Sequence, residues 1–132
     1  MNAHPQRVAT DIIEVAQAAG LAVLLNRSWG GIEPPASLPS NVLAVDDVPF
    51  DGLFPRIQGA IHHGGSGTTH SALRCGLPQA IIPHIADQFF WSRQVVSAGF
   101  GVEGFPINAW SKARFARVVD ALLPHMQSVR PA

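Results

Sequence analysis

Apolar residues recur at two different spacings along this chain, and the two spacings alternate. Between residues 5 and 19, Val8, Ile12, Val15, Ala16 and Ala19 fall on one face of a helix, and Gly20 closes the run. "LAVLL" at 21–25 is instead a short unbroken apolar run, the pattern of a strand buried on both faces. "SWGGIEPPASLPSN" at 28–41 reads as a loop by its Gly, Pro and Ser content. "VLAV" at 42–45 predicts a second strand, 50–57 a short helical turn, and "GAIHH" at 59–63 a third strand. A helix is expected from Gly67 or Thr68 to Gly76, a fourth strand at 79–83, and a helix over 87–98 that Gly99 ends. "FGVEG" at 100–104 predicts a weak edge strand. Residues 111–123 predict a last amphipathic helix, with Ser111 as its N-cap and Pro124 as its stop.

This alternation with short connections predicts an α/β fold, a Rossmann-like parallel sheet with helices on both faces. Ligands of such sheets sit beyond the C-terminal strand ends, and His63 lies at one of them. The apolar share of 47% over 132 residues supports a single core and a single domain spanning 1–132. Nine basic and nine acidic side chains cancel, which argues against a nucleic-acid partner. Cys75 is the sole cysteine, so there is no internal disulfide and no cysteine-rich zinc site. A reducing cytoplasm is the simple reading. No apolar run approaches the ~20 residues of a membrane span, and a contact at the membrane periphery stays open.

"AIHHGGSGTTHSALRCGLP" at 60–78 places Gly64, Gly65 and Gly67 directly after a strand. Glycine weakens regular structure, so three within four positions need a reason. They let the backbone turn sharply and approach a ligand, while the following helix offers unpaired amides and a dipole that favour an anion. Ser66, Thr68 and Thr69 add hydroxyls, and His63 can donate to a phosphate oxygen from the strand end. His62 and His63 point to opposite faces, and His63, next to the turn, is chosen as the ligand-facing one. Three familiar motifs fail here. His70 stands where G-x-G-x-x-G wants its last glycine, no Gly-Lys pair marks a P-loop, and Thr68 replaces the final glycine of a nucleophile elbow. A metal held by His62, His63, His70 and His84 is the weaker option, because their spacing matches no standard ligand set. A plain strand-to-helix turn with a buried histidine is the bland one.

A second cluster follows the next strand. Asp87 and Gln88 open a helix at the same sheet edge as His63. A carboxylate beside an amide can accept from one sugar hydroxyl and donate to another. Taken alone, Asp87 is better read as an N-cap.

Together, "HHGGSGTTHSALRCGLPQAIIPHIADQFFWSRQVVSAGFG" resembles the donor-site signature of UDP-glycosyltransferases of the GT-B fold. The lead-in "LFPRIQGAIHHGG" and the "DQFFW" segment are most similar to the sterol glucosyltransferase and antibiotic glycosyltransferase branch. The resemblance runs from about Leu21 to Leu123 and covers the C-terminal, donor-binding half of the fold.

The resemblance implies roles for matching positions. His63, Gly65, Ser66, Gly67 and Thr68 would hold the donor diphosphate, and Asp87 and Gln88 the hydroxyls of the transferred sugar. Ser28, Trp29 and Val48 would lie at the nucleoside, with a packing anchor the equal alternative for Trp29. Trp91 is better read as a packing aromatic. Plant relatives carry a ribose-binding glutamate where this chain has Ser71, and a uracil-stacking tryptophan that nothing near Val45 matches. The implied reaction is inverting transfer of a hexose, glucose by expectation, from a UDP-sugar to a hydroxyl of a lipid, sterol or natural product. Neither cofactor nor metal is implied, and no catalytic residue falls in this chain. The acceptor site and the histidine base would come from an N-terminal domain or a partner subunit. The family's first strand, central in the sheet, has no counterpart ahead of the helix at 5–19, so exposed strand edges and self-association are expected. A donor subunit of a split enzyme and a non-catalytic nucleotide-sugar-binding module are the alternatives.

Overall fold

The computed structural model describes residues 5–26, 32–46 and 49–126. The first helix, α1, covers Pro5–Ala18, and two strands follow, β1 at Val23–Asn26 and β2 at Val42–Val45. A short helix α2 (Phe50–Leu53) runs into a 3₁₀ turn (Phe54–Arg56) ahead of β3 (Ala60–His62) and α3 (Ser66–Arg74). Strand β4 (Gln79–Ile81), α4 (Asp87–Ser97) and the two-residue β5 (Gly101–Val102) come next. A second 3₁₀ turn at Ile107–Ala109 leads into α5 (Lys112–Met126).

All strand pairs are parallel, as the alternation predicts. They form two pieces, however: β1 with β2, and β3–β4–β5. Among the described residues no strand pairing joins the two pieces, where the sequence predicts one continuous sheet. A cavity of about 900 Å³ is lined from both sides, by Leu24 and Asn26 of β1 and by Ile61 and His62 of β3. Leu24 and Leu43 are register partners on one face of the first piece, and at 42% and 59% exposure they leave an apolar surface uncovered.

The core forms where the sequence pattern places it. Val8, Ile12 and Val15 of α1 pack with Leu25, Val42, Ile82, Phe115 and Val119. Beside the α1–α5 contact, Trp110, just ahead of α5, donates its Nε1–H to the Asp11 carboxylate at 2.9 Å in a part-buried bond. Helices α1, α3 and α4 each end on a glycine at positive φ, namely Gly20, Gly76 and Gly99. At Gly76 the amides of Leu77 and Gly76 bond back to Ala72 and Leu73, the Schellman pattern that satisfies two orphan carbonyls.

Ser111 caps α5 as expected, its Oγ accepting from Arg114 N at 3.0 Å. Pro124 does not stop the helix, which runs on to Met126. The reason lies in packing. Leu122 and Met126 continue the apolar stripe and close over Gly59, where a Cβ would stand 2.9 Å from Met126 Cγ. That contact offsets the backbone bond that proline cannot make.

Candidate functional site

The site grows from the end of β3. Strand alternation turns His62 inward, where it is buried, and leaves His63 half-buried on the other face. His63 lies edge-on to His84, with ring centroids 5.9 Å apart. Burial lowers the pKa of both rings, and for His84 the nearby His63 adds to the effect. Burial thus favours the uncharged form of the His63 ring, which keeps one N–H able to donate.

Gly64 makes the bend, with φ at +97°. It is pressed between β4 and α4: a Cβ there would stand 2.7 Å from Ile81 Cγ2 and 3.2 Å from the Gln88 carbonyl oxygen. The two sequence clusters thus meet at this residue. Helix α3 then starts at Ser66, slightly earlier than the sequence predicts, with Gly65 as N-cap and no capping side chain. The first bond into the helix is Thr69 N to Gly65 O at 2.9 Å. The amides of Ser66, Gly67 and Thr68 have no acceptor within the helix and form its positive end. The protein's own packing does not require glycine at 65 or 67. A Cβ on Gly67 would meet nothing within 4 Å, and one on Gly65 would only touch the His63 ring at 3.5 Å. His63 and Thr68 border the large cavity, together with Asn26 at the end of β1.

Asp87 and Gln88 take different parts. The N-cap of α4 is Ala86, so Asp87 is not the capping residue; it occupies the first turn with its carboxylate exposed. Gln88 turns its Oε1 inward to accept from the amides of His84 (2.7 Å) and Ile85 (2.9 Å), which leaves its Nε2 to donate. Ala86 sits at φ 52°, ψ −126°, and Gln88 N bonds to Ile85 O across it at 3.1 Å. This is a type II′ turn with alanine where glycine is preferred. Strain of this kind costs about 1–3 kcal/mol and is partly offset by the stiffer unfolded chain. Ala86→Gly should therefore raise stability by about 1 kcal/mol, a few degrees in a thermal melt. An unchanged melting temperature would show that the turn carries no strain.

Other expectations resolve as follows. Trp91 packs edge-on against His70 at 4.9 Å and ties α4 to α3, a packing role. His70 spends its Nδ1 on the Ser66 carbonyl at 2.7 Å. Ser71 is buried, and its Oγ accepts from Arg74 at 3.0 Å, so it faces α2. Ser28, Trp29 and Val48 lie outside the described residues. Among the described residues no three His, Cys, Asp or Glu side chains are grouped to hold a metal. Sequence reasoning passed over Gln79, which is fully buried with its Oε1 2.7 Å from His62 Nε2.

Comparison with known proteins identifies the family and the fold. Residues 21–125 match the family described as Erythromycin biosynthesis protein CIII-like, C-terminal domain. A sterol 3-beta-glucosyltransferase of Arabidopsis thaliana is 38% identical over 126 residues, covering 94% of this chain and 20% of that protein. The Kluyveromyces lactis sterol 3-beta-glucosyltransferase is 38% identical over 133 residues, covering 96% of this chain and 11% of the relative. The chain thus spans about a fifth or less of these relatives. Among solved structures, the glycosyltransferase VinC in complex with dTDP superposes with a TM-score of 0.70 at 26% identity, over 89% of this chain and 29% of VinC. The glycotransferase of kitacinnamycin reaches a TM-score of 0.72 at 22% identity, over 91% of this chain and 33% of its own, and shows the fold alone. With the match spanning most of the chain, this protein belongs to the EryCIII-like C-terminal domain family and has the parallel α/β architecture of GT-B glycosyltransferases.

Proposed function

We propose that this chain is the donor-binding domain of an inverting glycosyltransferase that takes glucose from UDP-glucose. The observation that carries the reading is the opening of α3. It is an uncapped helix N-terminus whose Gly65 and Gly67 are not demanded by internal packing and whose His63 faces the same opening. The diphosphate would sit against the amides of Ser66, Gly67 and Thr68 and the ring N–H of His63. Asp87 would accept from one sugar hydroxyl and Gln88 Nε2 donate to another. Glucose is favoured because the relatives at 38% identity are named as glucosyltransferases. The neighbour solved with dTDP supports a nucleoside diphosphate as the ligand class. Ser28, Trp29 and Val48 remain the proposed nucleoside contacts.

In this reading the acceptor hydroxyl attacks the anomeric carbon, the bond to the diphosphate breaks, and UDP leaves with the electron pair. Negative charge grows on the diphosphate, where fixed amides and His63 stabilise it without reorganisation and without a metal. The proton of the hydroxyl passes to a base on an acceptor-binding domain or subunit. No helix of the described residues is long and apolar enough to cross a membrane. We place the reaction in the cytoplasm, with a lipid, sterol or natural-product acceptor reached at a membrane surface. The exposed Leu24 and Leu43 make self-association part of the same proposal.

Calorimetric titration with UDP and UDP-glucose in EDTA tests this. UDP should bind, His63→Ala should weaken it by roughly tenfold or more, and Asp87→Ala should remove only the extra affinity contributed by the sugar. A folded chain that ignores millimolar UDP, or binding that needs a divalent cation, would overturn the reading.

A further inference from the structure

His62 takes no part in the proposed reaction, and it is 5% exposed. Both of its ring nitrogens are engaged. Nδ1 accepts from the backbone N–H of Gly64 at 3.1 Å, and Nε2 lies 2.7 Å from Gln79 Oε1. Only one tautomer satisfies both contacts. A donor at Gly64 requires a bare Nδ1, so the proton sits on Nε2 and is donated to Gln79. Gln79 is fully buried, and its own Nε2 has no hydrogen-bond partner among the described residues. A buried amide with an unsatisfied donor is costly in a core where an apolar residue would fit, so its carbonyl needs a use. Among the described residues, the side-chain hydrogen bond of Gln79 is the one to His62.

Gly64 is fixed from two sides. Ile81 and Gln88 form a wall against its Cα, and His62 holds its N–H. The next peptide groups lead straight into the uncapped start of α3. We propose that His62, oriented by Gln79, is a positioning residue for the anion site: its Nδ1 sets the Gly64 peptide and so aims the amides of Ser66, Gly67 and Thr68. The role rests on the donor-site reading for its ligand, but not for the hydrogen bond itself.

The test combines ring nitrogen spectra, hydrogen exchange at the Gly64 amide and UDP titration. The ring spectrum of the wild type should show the proton on Nε2. His62→Gln carries its polar group near the Nε2 position and cannot reach Gly64, whereas His62→Asn places a carbonyl oxygen near Nδ1. His62→Gln should speed Gly64 exchange and weaken UDP by roughly tenfold, and His62→Asn should recover most of both. Should His62→Gln fail to fold, Gln79→Met serves instead, with a shifted tautomer and faster Gly64 exchange expected. A wild-type ring protonated on Nδ1, or a folded His62→Gln with unchanged Gly64 exchange, overturns the proposal. If Gly64 exchange responds as expected while no variant nor the wild type binds UDP, the donor-site reading fails and the hold of His62 on the turn stands.

Discussion

Gly64→Ala should cost roughly 3 kcal/mol and abolish UDP binding, whereas Gly67→Ala should leave stability nearly untouched and still weaken UDP. The two glycines differ in what they face. Gly64 sits at φ +97°, a backbone region that an L side chain occupies at a cost of about 1–2 kcal/mol. A methyl there would also stand 2.7 Å from Cγ2 of Ile81, a residue with no exposed surface. Overpacking of that kind adds about 1–3 kcal/mol. The Gln88 carbonyl on the other side is backbone and cannot swing away. Relief would move β4 or α4, and either motion disturbs the amides that open α3. For a domain whose whole stability is about 5–15 kcal/mol, the loss is large. Gly67 has no atom within 4 Å of a built Cβ, so alanine fits the free protein. The methyl would instead occupy ligand space beside the first-turn amides. Urea midpoints and UDP calorimetry on both variants separate the cases. Equal stability of Gly64→Ala and wild type would refute the packing account, and unchanged UDP affinity of Gly67→Ala would refute the amide cradle.

Much of this arrangement is legible in the sequence because it rests on local rules. Period-3.6 spacing finds α1 and α5, glycine finds the ends of α1, α3 and α4, and period-2 alternation separates His62 from His63. What is not legible depends on tertiary contact. Pro124 reads as a stop because the sequence does not show Met126 closing over Gly59. The break between β1 and β3 is invisible because each strand, taken alone, has the same apolar signature. Gln88 reads as a free amide, yet the loop at 84–85 claims its oxygen. Gln79 reads as the polar start of a strand, and only the fold reveals that it faces a histidine. The site's outline is therefore local, and its internal support is not.

That support should make the fold sensitive to acid. Burial lowers the pKa of His62 from 6.5 to about 4, although the bond to Gln79 acts in the opposite direction. Between those values the unfolded chain takes up a proton at this position and the folded chain does not. Stability rises with pH wherever the unfolded state binds more protons. The contribution of His62 is therefore flat above about pH 6.5, falls as the pH drops toward 4, and is flat again below. Each pH unit in the interval is worth about 1.4 kcal/mol, so the whole effect is about 3 kcal/mol. His63 and His84, both also lowered by burial, act in the same direction. Protonation of His62 within the fold would also put a proton on Nδ1 against the Gly64 N–H, so the turn should open before the rest of the chain. Urea unfolding of wild type and His62→Asn from pH 7 to pH 4 isolates the effect, since the asparagine does not titrate. From pH 7 to pH 4 the wild type should lose about 3 kcal/mol more stability than His62→Asn. Parallel curves would mean that His62 titrates in the fold as it does in the unfolded chain, so that its burial does not favour the neutral ring.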